Sequence, residues 1–482
     1  MVFLQSILRE VLLRHGTRYL GLTGTVALVG ASLFAAGAPA AATAAVSIEP
    51  GALSVLASTT QPPTQSQCVA AFTVPCYVPT QLQTAYNEQP LFNRGITGKG
   101  ETIVLVDAFG SPSIQSDLST FDAQFGIPDP PSFKVLQPDG PVNFDPTNGT
   151  DQSWAGETTL DVEYSHAMAP GANIVLVETP VAETEGVAGF PQIVEAENYV
   201  INHHIGDVIS QSFGATEASF PSARSVRDLR SAYFNALAHG VTVLASSGDD
   251  GSTGDLNVAG TILDTSPAVS WPASDPLVTG VGGTQLQLNA NGSRIAPDQV
   301  WNDTYNQQLQ EVFFGNAGPN PLATGGGKSL VFRRPPYQNG VVGVVGRSRG
   351  VPDISMSGAC SGLVDTYQST PGTTAGWYVV CGTSEASPLF AGIVALADQV
   401  AHHSLGLINP ALYALSAEHA PGLVDVTTGN NTVGFTQNGT LYTVPGYSAG
   451  PGYDMASGVG TVNAALFVPE LARAARGFRH RR

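Results

Sequence analysis

Three stretches of this 482-residue chain carry residue types at spacings that suit chemistry. The first is Gly382-Thr383-Ser384-Glu385-Ala386-Ser387-Pro388, followed at once by the apolar run Leu389-Phe390-Ala391-Gly392-Ile393-Val394-Ala395-Leu396. A serine at a helix amino terminus sits beside free backbone N–H groups and the positive end of the helix dipole. Both favour negative charge developing there, as a nucleophile needs. The commonest use of Ser at that place is simply to cap the helix. The second stretch is Glu157-Thr158-Thr159-Leu160-Asp161. On a helix, residues four apart share a face, so two carboxylates would be neighbours. Like charges at that spacing disfavour an isolated helix unless a proton is kept or shared. The alternative reading is two solvated acids on a surface helix. The third is Asp425-Val426, then Gly450-Pro451-Gly452-Tyr453-Asp454, then Ser457-Gly458-Val459-Gly460. Ca²⁺ takes several oxygen ligands, and glycines let backbone carbonyls turn inward between two aspartates. A Gly-rich turn with incidental acids is the other reading.

A nucleophilic Ser384 needs a base. The nine histidines fall at 15, 166, 203, 204, 239, 402, 403, 419 and 480, and none stands in a His-Gly-Thr-His context. His166 lies near the Glu157 helix and is expected to be packed there. The base is therefore expected from the carboxylates. Tyr164 and Met168 fall on the same helical stripe as the acid pair, which points that face inward.

Short β-branched runs alternate with amphipathic stretches and must position these groups. The runs are Thr102–Asp107, Asn173–Val177, Asp207–Ser210 and Val241–Ala245; helices are predicted near Ala155–Met168, Pro191–His203, Ser222–His239 and Ser384–His403. The third helix should end at Gly240. This alternation predicts an α/β fold with a largely parallel central sheet and helices on both faces. In such sheets the chemistry gathers at the carboxyl ends of the strands.

With these motifs in view, the chain resembles the sedolisin family, serine-carboxyl peptidases on a subtilisin-like fold. The Gly-Thr-Ser-x-x-x-Pro spelling is one that subtilisin-like peptidases use around their serine. The Glu157…Asp161 helix runs into His166-Ala167-Met168-Ala169-Pro170-Gly171-Ala172, and Ser247-Gly248-Asp249-Asp250-Gly251 follows a strand. Further matches are Gln211-Ser212-Phe213-Gly214, Pro272–Pro276, Val281–Thr284 and Gly325–Ser329. The resemblance covers nearly all of Cys68–Leu471. It implies that Ser384 is the nucleophile, Glu157 its general base, and Asp161 the group that orients Glu157. It also implies that Asp249 joins the Ser384 N–H in an oxyanion hole, with Asp250 as the alternative. Ser212-Phe213-Gly214 would pair with the substrate backbone. One Ca²⁺ would be held by Asp425, Asp454 and the carbonyls of Val426, Gly450 and Gly452.

Composition adds the setting. A net charge of −18 and a pI near 4.7 argue against a nucleic-acid partner. Residues 1–45 read as a secretory signal, with Arg9, Arg14 and Arg18 before an uncharged stretch and Ala42-Thr43-Ala44 as cleavage site; an uncleaved anchor is the other reading. Four cysteines agree with export, and two local disulfides are the natural choice among three connectivities. Residues 46–67 read as a linker, 68–471 as one peptidase domain, and 472–482 as a frayed basic tail. A linker of that length leaves no room for the folded propeptide common in the family. The expectation is a secreted, monomeric, acid-active endopeptidase acting on polypeptides, with no stable membrane association after signal cleavage. The alternative is a secreted, inactive binding protein of the same fold. Gly325-Gly326-Gly327-Lys328-Ser329 is not read as a phosphate loop, because Leu322 stands where the first glycine belongs.

Overall fold

The structure is a computed structural model that describes residues 46–47, 53–184, 186–257 and 260–479. The expected signal and its cleavage site lie outside the described residues, and among the described ones no helix is long and apolar enough to cross a membrane. The scaffold is a mostly parallel sheet. Its strand order is Gln299–Val300, Thr279–Gln285, Thr242–Ser246, Val208–Gln211, Thr102–Ala108, Asn173–Thr179 and Phe133–Leu136, with Ile354–Ser357 also paired to Thr279–Gln285. All the pairings are parallel except that of Gln299–Val300.

Strand periodicity explains the two layers. Along Thr102–Ala108, Ile103 and Leu105 face one core while Val104 and Val106 face another. The first core holds the acid helix (Gly149–Met168) and the nucleophile helix (Thr383–Ala401). The second holds the helices Phe190–Asn202 and Ser231–His239. Chain order reverses between Thr102–Ala108 and Val208–Gln211, and the crevice at the carboxyl ends of such strands is where ligands bind in open α/β sheets.

Three expectations need correction. The helix expected over Ser222–His239 is two, Ala223–Asp228 and Ser231–His239. Arg230 sits at the break and forks onto Asp275 at 2.5 and 2.8 Å. The supposed linker is structured: Leu53–Ser58 is a strand and Gln65–Phe72 a helix. Its longer strand partner, Gly376–Cys381, lies more than 300 residues away, so local periodicity could not reveal it. The supposed tail begins inside a helix, Ala464–Arg479. Ala472 and Ala475 are buried, and Arg476 donates to the Val400 and Ala401 carbonyls that end the nucleophile helix. The two disulfides are Cys68–Cys76 and Cys360–Cys381.

Candidate active site

The acid pair lies inside the helix Gly149–Met168, while Ser212, Asp249 and Ser384 lie where other regular elements end or begin. The acid helix starts at Asn148, whose side chain accepts from the Thr150 N–H. From Ser153 to Met168 every residue of it is buried, so the surface-helix reading of the acid pair is wrong. Helices buried all round are held by packing rather than by an amphipathic face. Tyr164 anchors the far end, its hydroxyl donating to the Asp365 carbonyl at 2.8 Å. His166 is packed as expected, 3.3 Å from Asp122 and 2.9 Å from the Pro128 carbonyl.

Glu157 and Asp161 are both fully buried. Ser212, directly after the strand Val208–Gln211, donates its hydroxyl to Asp161 Oδ1 at 2.7 Å and also lies 3.3 Å from the Ser384 carbonyl. Ser212 thereby ties the acid helix to the nucleophile turn. Burial raises the Glu157 carboxyl well above its ordinary pKa, and the nearby Asp107 charge adds to this, while the neighbouring Ser384 side chain acts the other way. Asp161 is likewise raised by burial and then by Asp107 and Glu157.

Asp107 was not singled out from the sequence. It is the penultimate residue of the strand Thr102–Ala108, is buried, and its charge acts on both Glu157 and Asp161. Burial pushes its pKa up to about 7. The signal was a lone acid closing a β-branched run, at the carboxyl end of a parallel strand where functional groups collect. Three enclosed carboxyls whose charges act on one another titrate as a group rather than singly.

The nucleophile turn is built around Gly382, whose φ of 136° favours glycine. Its N–H is held by the Gly358 carbonyl at 2.9 Å. Thr383 then donates its N–H and its hydroxyl to Asp249 Oδ1, both at 2.7 Å, and accepts from the Gly248 N–H at 3.0 Å. The Asp249 carboxyl therefore lies against the turn that carries Ser384. Its Oδ2 is shielded and has no hydrogen-bond partner among the described residues. Burial raises its pKa to about 6, against the two Thr383 bonds. Deeper in the helix, Ser387 and Ser210 meet at 2.8 Å. Ser384 itself is 2% exposed.

The segment expected to meet substrate has its side chains committed elsewhere. Ser212 bonds Asp161, and Phe213 packs near Trp154 and Phe190. Its backbone is what remains to meet a ligand.

The third motif brings its two aspartates to one turn. Asp425 Oδ2 accepts from the Gly452 N–H at 2.8 Å, and Asp454 Oδ2 from the Gly450 N–H at 3.0 Å. Asp454 Oδ1 also accepts from Ala456 and Ser457. Ser457 links Asp454 to the Val426 carbonyl, and two carboxylates on one turn have the donor chemistry that a hard cation such as Ca²⁺ prefers.

A serine at a helix amino terminus, an enclosed acid pair on the neighbouring helix, and this parallel sheet define a subtilisin-like framework. The subtilase family pattern matches residues 147–435, and the chain belongs to that family. Its relatives place it in the sedolisin branch. Kumamolisin from Bacillus sp. (strain MN-32) is 32% identical over 394 residues, which is 80% of this chain and 62% of that protein. Sedolisin from Pseudomonas sp. (strain 101) is 29% identical over 403 residues, 83% of this chain and 62% of that protein. The chain thus spans about three fifths of the length of these curated relatives. Among solved structures, Pseudomonas sedolisin, described as a serine-carboxyl proteinase complexed with two molecules of pseudo-iodotyrostatin, superposes with a TM-score of 0.66 at 27% identity. That match covers 84% of this chain and 99% of the other.

Proposed function

We propose that the chain is a secreted, acid-active serine-carboxyl endopeptidase that cleaves polypeptides through an acyl-enzyme on Ser384. The observation that supports this reading is the enclosed pair Glu157 and Asp161 on one helix face, with Ser212 joining Asp161 to the Ser384 carbonyl. Glu157 takes the Ser384 hydroxyl proton as Oγ attacks the scissile carbonyl, then returns it to the leaving amine. Asp161, fixed by Ser212, orients Glu157. The oxyanion is met by the Ser384 N–H and by protonated Asp249, which donates from Oδ2 because Oδ1 already accepts twice from Thr383. The backbone of Ser212-Phe213-Gly214 pairs with the extended substrate.

In this reading Asp425, Asp454 and the carbonyls of Val426, Gly450 and Gly452 hold one Ca²⁺, which when bound would stabilise the carboxy-terminal turn. The alternative of an inactive binding protein lacks a specific observation in its favour.

The deciding experiment is digestion of a diverse peptide library by the secreted protein from strongly acid to neutral pH, beside Ser384→Ala. Turnover in acid that the variant lacks supports the reading. A folded protein with no turnover at any pH overturns it.

A further inference from the structure

The segment before Cys68 does more than connect. Leu53–Ser58 pairs antiparallel with Gly376–Cys381, the strand that leads directly into Gly382-Thr383-Ser384. The register sets Leu53 opposite Cys381, Ser54 opposite Val380, Val55 opposite Val379 and Leu56 opposite Tyr378. Both faces of this strand are covered. Leu53 and Val55 join a core with Trp301, Phe313 and Leu322, while Leu56 packs against the core of the nucleophile helix.

Two further features show a built contact. A Cβ on Gly376 would lie 2.5 Å from the Ser58 carbonyl oxygen, so the close approach depends on that glycine. Downstream, the helix Gln65–Phe72 opens with a capping box on Thr64, is stapled by Cys68–Cys76, and delivers Cys76–Tyr77 to Leu363–Val364. Residues 53–77 therefore clasp the hairpin Leu363–Cys381 from both edges.

The core beneath the strand reaches the other half of the site. Leu322 precedes Ala323, whose N–H donates to the Asp249 carbonyl at 2.8 Å, and Cys360 ties that core to Cys381. One six-residue strand thus backs the turn of Ser384 and the turn of Asp249 together.

We propose that Leu53–Ser58 is a permanent strand of the working protein, that proteolytic maturation ends upstream of Leu53, and that the strand positions the Ser384 and Asp249 turns. The positioning half rests on the peptidase reading; the permanence half does not.

The test starts from the full chain, secreted and folded, with its amino terminus read by intact mass and terminal sequencing. The expected terminus lies at or before Leu53. A folded protein that begins at Thr59 or later and melts as the longer form does overturns the proposal. Nicking in the exposed turn Thr59–Gln61 should leave the fragment bound through native gel filtration; its release with unchanged melting also overturns it. Gly376→Ala should lower the melting temperature and reduce kcat on the order of tenfold with KM little changed, since small misplacements of reacting groups act on the chemical step. Val55→Ala gives the same readout more mildly, should Gly376→Ala not fold. Variants whose kcat matches the parent while melting lower overturn the positioning role. Absence of turnover by the parent itself would sink the peptidase reading alone, because mass and melting still decide permanence.

Discussion

Thr383 gives both its backbone N–H and its hydroxyl to one oxygen of Asp249, leaving the other oxygen of that carboxyl unpartnered among the described residues. The oxygen that accepts twice cannot also carry the proton, so a protonated Asp249 presents its O–H from Oδ2. An asparagine with its amide nitrogen in that place keeps the same pattern of acceptor and donor without ionising. With the Asp249 pKa raised to about 6, the donor form holds below that pH and is lost above it. Asp249→Asn should keep measurable turnover and carry the alkaline limb of the kcat/KM profile beyond pH 6. Thr383→Val removes a bond that favours the ionised carboxylate, so it should also move that limb upward, at a lower rate. A profile that falls at the parent's pH in both variants assigns the limit to another group.

Asp107 is expected to matter to rate more than to substrate binding. It is buried near the end of the strand Thr102–Ala108, and its charge acts on both carboxyls of the acid pair. Asp107→Ala leaves Asp161 free to tilt, and kcat should fall roughly 10- to 100-fold with KM near the parent value. Asp107→Asn keeps the volume and polarity of the side chain and should recover most of the loss. Steady-state kinetics on one peptide checks both.

Enclosed acids other than the candidate catalytic set govern the pH range of the fold itself. Burial raises Glu197 and Glu385 to about 8, and Glu88 and Asp365 well above the ordinary range. A carboxyl with a raised native pKa binds its proton more tightly when folded. Its contribution is complete below the unfolded pKa, near 4, and is lost as pH climbs through the native value, at roughly 1.4 kcal/mol per pH unit for each group. The melting temperature should therefore be highest in acid and fall toward pH 8. Glu197→Gln should match the parent at pH 4 and exceed it at pH 8, as scanning calorimetry would show. Equal melting of parent and variant at pH 8 removes Glu197 from this account.

Metal binding is tested by response rather than by level. If Asp425 and Asp454 hold Ca²⁺ in the native state, chelator should lower the melting temperature near pH 6, and added calcium should restore it. Asp454→Asn will melt lower in any case, because Asp454 also receives the Ala456 and Ser457 N–H groups. The decisive outcome is that the variant no longer responds to calcium. An unchanged parent in chelator removes the metal from the reading.

Much of this architecture is written locally. The four β-branched runs form neighbouring strands of the central sheet, because parallel strands buried on both faces must be apolar throughout. The acid and nucleophile helices were legible from spacing and from the Gly-Thr-Ser turn. Asp107 escaped because one acid at a strand end is a weak signal until its neighbours are known. Leu53–Ser58 escaped because its apolar partners, Trp301 and Phe313, come from distant sequence. The break at Arg230 is set by Asp275, an ion-pair partner that helical periodicity does not report.

The acid helix is enclosed on all sides from Ser153 onward, and this bears on how the protein can diversify. A helix with no solvent face has no neutral positions, so substitutions around Glu157 and Asp161 disturb packing whatever they do to chemistry. Inherited variation is thereby pushed to the rim, where the hairpin Val433–Val444 and the exposed segment Gly260–Ile262 lie near the Asp249 turn and tolerate change. A saturation scan of the chain would find the acid helix nearly intolerant and these two loops permissive. New preferences for substrate would then arise by exchange of loops around an unchanging chemical centre.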